Sequence, residues 1–393
     1  MVSLFTPFTP IDIMYRRYTA SFDSSGNNLS LNRNFYFGQE RSEIESIITL
    51  AEPIMDITSE VGPEIIQKYN LKMAETILIK ENEDTKIYEE LEKMPSVIYS
   101  SGGSAENTMR VLSWCLNMEP LERNRFRVSM LGSVGDDEYK NRIEKELKNI
   151  GVNPIFEVIK GDKTTRCGVC IYNKEKFFAT QIRASKKLTE KFIDEHLDEI
   201  LSHKILFIEG YMVSNKFDLC KKLCNHFIQD KKLIVLSLSA VFIIKNYYDK
   251  MLELANEADL IIGNMEEAVE LAGNKPEMVE SIFEIIFEKL KPKENRLIVI
   301  TDGPNGAYWA KYSYEEKKLE HFIQYFAYEL KDEEIQDLNG TGDAFLGGFL
   351  SRYMKGYSVH DCCRIGIEAA TIILKNVGCT FPATLNILKD YEK

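Results

Sequence analysis

Four short runs, KILFIEG (204–210), KKLIVLSLS (231–239), ADLIIGN (258–264) and NRLIVITDG (295–303), are apolar at nearly every successive central position. A strand with one wet face alternates apolar and polar residues, so runs like these need cover on both faces. Parallel sheets flanked by crossover helices provide that cover. The intervening stretches have helical spacing. FRVSMLGSVG (126–135) reads as a further strand, and the amphipathic DDEYKNRIEKELKNIG (136–151) follows it as a helix closed by Gly151. SAENTMRVLSWCLNM (104–118) has apolar residues at helical spacing after a Gly-Gly turn, with Ser104 as its expected N-cap. ESIITLAEPIMDI (45–57) reads as a first strand running into a loop. The expected fold is α/β, a doubly wound, mostly parallel sheet with helices on both faces.

Two stretches break the alternation. KMAETILIK (72–80) with SVIYS (96–100), and TTRCGVCIYNKEKFFATQIRA (164–184), read as successive strands with no crossover helix between them. They predict a small separate sheet covering the strand ends as a lid, formed mainly from parts of 56–100 and 155–185. Residues 1–44 differ from the rest, being apolar and proline-broken first, then polar and turn-rich. They lack the apolar core and small-residue site of a secretory signal, and read as a flexible or surface-wrapping extension of a single domain spanning 45–393.

The formal charge of −12, from 61 acidic and 49 basic residues among 393, argues against nonspecific nucleic-acid binding, which needs a basic face. No apolar run is long enough to span a membrane. Eight scattered cysteines do not form a secreted disulfide framework, so a reducing, cytoplasmic or nuclear setting is expected. Cys167 and Cys170 have metal or redox spacing, but no second pair lies nearby and RCGVCIY reads as a strand.

The chemistry concentrates in DLNGTGDAFLGGFL (337–350), where a glycine-rich turn opens a helix. Backbone N–H groups at Gly340, Thr341 and Gly342 would lack intrahelical partners and face the positive end of the helix dipole, a setting for phosphate. Asp343 has two readings there: an acid that merely suits the dipole, or a base that takes a proton from a hydroxyl. SGGSAEN (101–107), GNMEEA (263–268) and TDGPNGA (301–307) are three more turns at strand ends. Ligands of parallel α/β sheets gather at such ends, so one shared site is expected.

With these segments in this order, the sequence resembles the ribokinase/PfkB family over about residues 45–390 and, within it, the adenosine-kinase branch. DLNGTGDAF resembles the family's D-T-x-G-A-G-D-A-F, SGGSAENT its N-terminal glycine pair and Asn, and GNMEEA its N-x-x-E turn. LSLSAVFI (236–243) and GCTFP (378–382) are similar to segments of the adenosine-kinase branch. The resemblance implies a ribokinase-like fold and transfer of the γ-phosphoryl of ATP, with Mg²⁺, to the 5′-hydroxyl of adenosine. It makes Asp343 the base and Gly340, Thr341 and Gly342 the anion hole. Glu52, Asp56, Gly103, Asn107, Phe178 and Tyr211 would border the nucleoside, with Lys176 as a lid residue near phosphate. Asn264 and Glu267 would hold Mg²⁺ through water, and Thr301, Gly303 and Gly306 would lie along ATP. The resemblance also implies a monomer that engages neither nucleic acid nor membrane.

The chain departs from the family pattern at Ala51 and Glu52, which stand where Gly-Asn is usual, and at Leu338 and Thr341, which stand for Thr and Ala. Lys176 keeps a charge but loses the bidentate fork of an Arg. These changes leave two other readings open: a kinase of another nucleoside or a sugar, and a nucleotide-binding relative with little turnover.

Overall fold

The computed structural model describes residues 43–73, 76–80, 86–118, 125–173, 175–376 and 378–382, so nearly all of the expected N-terminal extension lies outside the described residues. Fourteen strands divide between two sheets among those residues. They are β1 (Ser46–Leu50), β2 (Ile54–Glu60), β3 (Thr76–Leu78), β4 (Ile98–Gly102), β5 (Arg127–Gly135), β6 (Val152–Ile159) and β7 (Thr165–Tyr172). β8 (Glu175–Gln181), β9 (Ile205–Glu209), β10 (Leu233–Ser237), β11 (Leu260–Asn264), β12 (Leu297–Thr301), β13 (Ala307–Ser313) and β14 (Lys318–Tyr325) complete the set. The longer helices are α1 (Ser104–Leu116), α2 (Glu138–Asn149), α3 (Phe217–Gln229), α4 (Tyr248–Glu257), α5 (Met265–Ala272), α6 (Val279–Lys289), α7 (Thr341–Met354) and α8 (Val359–Leu374).

The large sheet runs β14-β13-β12-β11-β10-β9-β1-β5-β6. Pairing is parallel from β12 through β6, and β13 and β14 add an antiparallel edge. Side chains alternate between two cores, as the pleat requires. Ile47, Ile205, Phe207 and Val235 join α1, α2, α7 and α8 on one face. Ile48, Leu206, Ile208, Ile234 and Leu236 join α3, α4, α5 and α6 on the other. This is the doubly wound architecture expected from the apolar runs.

The small sheet runs β3-β8-β7-β2-β4. Its second piece begins at Thr165, because Val152–Ile159 pairs with β5 in the large sheet. β2 is a full strand where the sequence suggested a loop. Pro53 interrupts the run, and three of β2's four less buried positions (Asp56, Thr58 and Glu60) are polar, so its apolar signal is weak. Register sorts the sheet's faces. Asp56 pairs with Cys167 and Cys167 with Thr180, so these three share one face with Lys176 and Phe178, four and two residues before Thr180. Cys170 points the other way, which rules out a shared metal for Cys167 and Cys170. The opposite face packs on the helix Lys86–Glu92, where a Cβ on Gly168 would meet Leu91 at 2.9 Å. The described residues contain no disulfide and no helix long and apolar enough to cross a membrane.

The glycines of the 337–350 segment serve two different purposes. Gly340 caps α7 with φ 76°, a left-handed conformation that glycine adopts without steric cost. Gly347 and Gly348 instead let α7 lie against its neighbours. A Cβ on Gly347 would stand 2.7 Å from the Thr108 carbonyl in α1, and one on Gly348 2.7 Å from the Ile365 carbonyl in α8. Backbone cannot yield as a side chain end can. Gly347→Ala should therefore lower unfolding free energy by roughly 1–3 kcal/mol in denaturant titration. A change inside experimental error would show that α1 and α7 can separate at no cost.

Candidate active site

Glu209, Ser237, Asn264 and Thr301 end four adjacent parallel strands, and the N-termini of α1 and α7 meet above this edge. At the start of α7, the N–H groups of Gly342 and Asp343 have no protein acceptor among the described residues. The Thr341 N–H reaches only the Leu338 carbonyl, at 3.4 Å. Open space surrounds Gly342. The Gly340 N–H has no protein acceptor among the described residues either, so the turn offers donors at Gly340, Gly342 and Asp343.

The Asp343 carboxylate is fixed by α1. The Ser104 hydroxyl donates to Oδ1 at 2.6 Å, and the Asn107 amide donates to Oδ2 at 3.2 Å. Ser104 is therefore not the N-cap expected from sequence. Gly103 takes that position with φ 105° and ψ 142°, releasing the Ser104 side chain for Asp343. Desolvation pushes Asp343 up to about 6, and the two hydrogen bonds oppose the rise.

A second acid lies one turn of chain away. Gly102 precedes the α1 cap, and a Cβ there would stand 2.3 Å from Asp56 Oδ2, so only glycine leaves room for that carboxyl. Burial raises Asp56 to about 7, while Arg110 and Lys176 pull it down and Glu146 adds to the rise. Arg110 donates to the Ser101 carbonyl at 3.1 Å and to Asn107 Oδ1 at 3.4 Å, linking this acid's surroundings to those of Asp343. Glu106, buried beside them and raised by desolvation to about 8, was not singled out in the sequence. Its position inside an apolar helix face carries no signal of its own.

The lid reaches the same place from above. Lys176 on β8 forms an ion pair with buried Asp337, whose Oδ2 also accepts from the Gly378 N–H at 2.7 Å. Asp337 Oδ1 accepts from the backbone and side chain of Asn339 at 3.1 and 3.0 Å. Lys176 thus ties the lid to the glycine turn in this conformation. Phe178 and Thr180 lie on the lid's inner face. Tyr211, just after β9, sits 6.0 Å from the Phe242 ring, and the charges of Glu209, Asp343 and Glu267 help raise its phenol pKa after desolvation. Glu52 accepts from Asn215 at 2.6 Å.

On the far side of Asp343, Asn264 and Glu267 complete a capping box at the start of α5. Asn264 Oδ1 accepts from the Glu267 N–H at 2.9 Å, and Glu267 Oε2 accepts from the Asn264 N–H at 2.9 Å. Glu267 is buried and held above its ordinary value by desolvation, with Asp343 among the charges acting on it. Thr301 pairs with Asn264 across β11 and β12, Gly303 is open on its Cβ side, and Gly306 lies directly against the Tyr325 carbonyl. No group of three or more His, Cys, Asp or Glu among the described residues could hold a metal directly.

GCTFP closes the site from the C-terminal side. Gly378 binds Asp337, Cys379 lies against Gly340, and Phe381 stacks on Trp114 of α1 at 4.9 Å. The structure therefore gathers the glycine turn, Asp56, Asn107, Lys176 and Asp343 into one cleft, and adds Ser104, Arg110, Glu209 and Asp337. Asp337 was visible as the first letter of the glycine segment, but only its partners reveal its use. Lys176→Met should free the lid and speed amide hydrogen exchange across 165–181 several-fold. Unchanged exchange there would show that the Lys176–Asp337 pair does not hold the lid.

Comparison with known proteins agrees with this geometry. The model of pfkB family carbohydrate kinases matches residues 67–385. An adenosine kinase of Dictyostelium discoideum is 30% identical over 345 residues, covering 86% of this chain and 97% of that protein. The apo structure of Trypanosoma brucei brucei adenosine kinase superposes with a TM-score of 0.75 at 24% identity, covering 85% of this chain and 100% of that one. Anopheles gambiae adenosine kinase in complex with P1,P4-di(adenosine-5) tetraphosphate gives 0.71 at 25% identity, covering 85% and 96%. Matched over most of its length in sequence and in fold, the chain belongs to the pfkB kinase family.

Proposed function

We propose that this protein is an adenosine kinase, transferring the γ-phosphoryl of ATP to the 5′-hydroxyl of adenosine to give AMP and ADP. The observation that carries the reading is the 3.2 Å bond from Asn107 to Asp343. It brings the base within one nucleoside's reach of the Asp56 pocket. Neutral sugar hydroxyls need acceptors, which Asp56 supplies; the transferring phosphoryl needs donors, which the N–H groups at the head of α7 supply. The inner lid face, with Phe178, offers an aromatic surface to a purine, and the lid excludes water that would otherwise compete as acceptor.

In the reaction, Asp343 accepts the 5′-hydroxyl proton as that oxygen attacks the γ-phosphorus. Ser104 and Asn107 hold the carboxylate in place while leaving it lone pairs for the incoming proton. Charge developing on the phosphoryl oxygens meets the Gly342 and Asp343 N–H groups and the positive end of α7. With a pKa of about 6, Asp343 is ionised at neutral pH yet basic enough to work. The site suits Mg²⁺ only as the ion carried by ATP. Glu267 and Asn264 would orient its waters, consistent with the preference of Mg²⁺ for phosphate and water ligands, and the ion would neutralise phosphate charge.

Incubation with ATP, Mg²⁺ and a panel of nucleosides and sugars tests the reading through ADP release. Adenosine-dependent release is expected; release with sugars alone, or none despite nucleotide binding, would end it. Asp343→Asn should cut kcat by about 10²–10⁴-fold while adenosine affinity stays within a few-fold in calorimetry. The pH profile separates the two acids. As pH falls through about 7, Asp56 takes a proton and KM rises. As it falls through about 6, Asp343 takes a proton and kcat drops. A kcat independent of pH down to 5 would remove Asp343 as the base.

A further inference from the structure

Arg110 gives hydrogen bonds to two acceptors through one nitrogen, and neither acceptor is an acid. One Nη1 hydrogen goes to the Ser101 carbonyl at 3.1 Å, next to Gly102, the residue that makes room for Asp56. The other goes to Asn107 Oδ1 at 3.4 Å, three residues back along the same helix face. Phe381 lies against the guanidinium, its ring centre 5.7 Å away. Nε is buried with no partner among the described residues. An unpaired buried donor costs stability, and a methionine would fill the position without that cost. An arginine here needs a reason beyond packing.

An asparagine amide has a donor end and an acceptor end of nearly equal size. A guanidinium can only donate, so the end that meets Arg110 is the carbonyl oxygen. The NH₂ end is left facing Asp343, where it donates to Oδ2 at 3.2 Å. Turned over, the amide would set its oxygen against a carboxylate and its NH₂ against a cation, repulsive at both ends. We propose that Arg110 is a positioning residue for the base: by holding Asn107 Oδ1, it keeps the Asn107 NH₂ turned to Asp343. The bond to Ser101 extends this hold to β4, the strand paired with β2 at Asp56. The groups that face the sugar and the group that takes the proton thus share one anchor. Arg110 also pulls down Asp56 and Glu106 by its charge, which is the competing account of its presence.

The kinetic test rests on the proposed reaction, and a second readout does not. If Arg110 acts through Asn107, Arg110→Met should lower kcat for adenosine about 10–100-fold in the parent. Added to Asn107→Ala, the same change should lower kcat by less than about twofold. No loss in the parent overturns the assignment. An equal loss in both backgrounds does so too, because a charge acting directly on Asp56 and Glu106 would give that result. Arg110→Gln, too short to reach both acceptors, takes the same place in the cycle if the Met variant does not fold. The second readout is the Asn107 side-chain amide signal in protein labelled with ¹⁵N-asparagine, identified by its loss in Asn107→Ala. In the parent, one of its protons should lie downfield of exposed asparagine amides, as a proton held by a carboxylate does. Arg110→Met should move it back toward them, and a signal left in place overturns the assignment. If the parent shows no adenosine-dependent turnover, the reaction falls, while the amide signal still decides whether Arg110 orients Asn107.

Discussion

The hydrogen bonds that Ser104 and Asn107 give to Asp343 join the first turns of two helices more than two hundred residues apart in sequence. Much of the site depends on that junction. It sets the Asp343 carboxylate, exposes the free N–H groups of α7 to the cleft, and keeps the Gly102 approach to Asp56 within the same space. The junction is possible because α1 and α7 pack through Gly347, where any side chain would strike the Thr108 carbonyl. A packing constraint deep in the helix pair thus fixes geometry at its tip.

The electrostatics of the cleft are divided by ligand chemistry. Asp56, Glu106, Glu209 and Asp343 are all raised by desolvation, and Arg110 is the cation that eases two of them. An array of ionised acids would repel phosphate, but acids held near or above neutrality do so much less. Backbone dipoles, which carry no net charge to be desolvated, serve the anion instead. Lys176 contributes at the boundary, touching Asp337 of the glycine turn and lowering Asp56 from above.

The large sheet was legible because both faces of its strands are buried, which leaves continuous apolar runs. β2 was not, since Asp56, Thr58 and Glu60 alternate with its buried residues and break the apolar run. The glycine turn and Asp343 were legible because helix N-termini demand particular residues. Ser104 was read as a cap because serine usually is one; Gly103 adopts φ 105° and takes that place, which no local pattern announces. Asp337 gains meaning only from partners far along the chain, Lys176 and Gly378. Asn264 and Glu267 show the converse: their spacing was conspicuous, and it builds a capping box whatever else it holds.

The four departures from the family pattern look damaging in sequence and are absorbed in space. The Thr341 hydroxyl donates to the Leu338 carbonyl at 2.8 Å, turning its branch away from the free N–H groups. Leu338 is 72% exposed, so its side chain leaves the Asp337 network undisturbed. Ala51 is buried and donates its N–H to the Leu131 carbonyl at 2.9 Å, prolonging the β1–β5 pairing into the turn. Glu52 is bound by Asn215. Each change leaves the free backbone donors of α7 and the Asp56 and Asp343 carboxyls in place. The alteration with the larger electrostatic consequence is Glu52, because its charge is among those that hold buried Glu209 above its ordinary value.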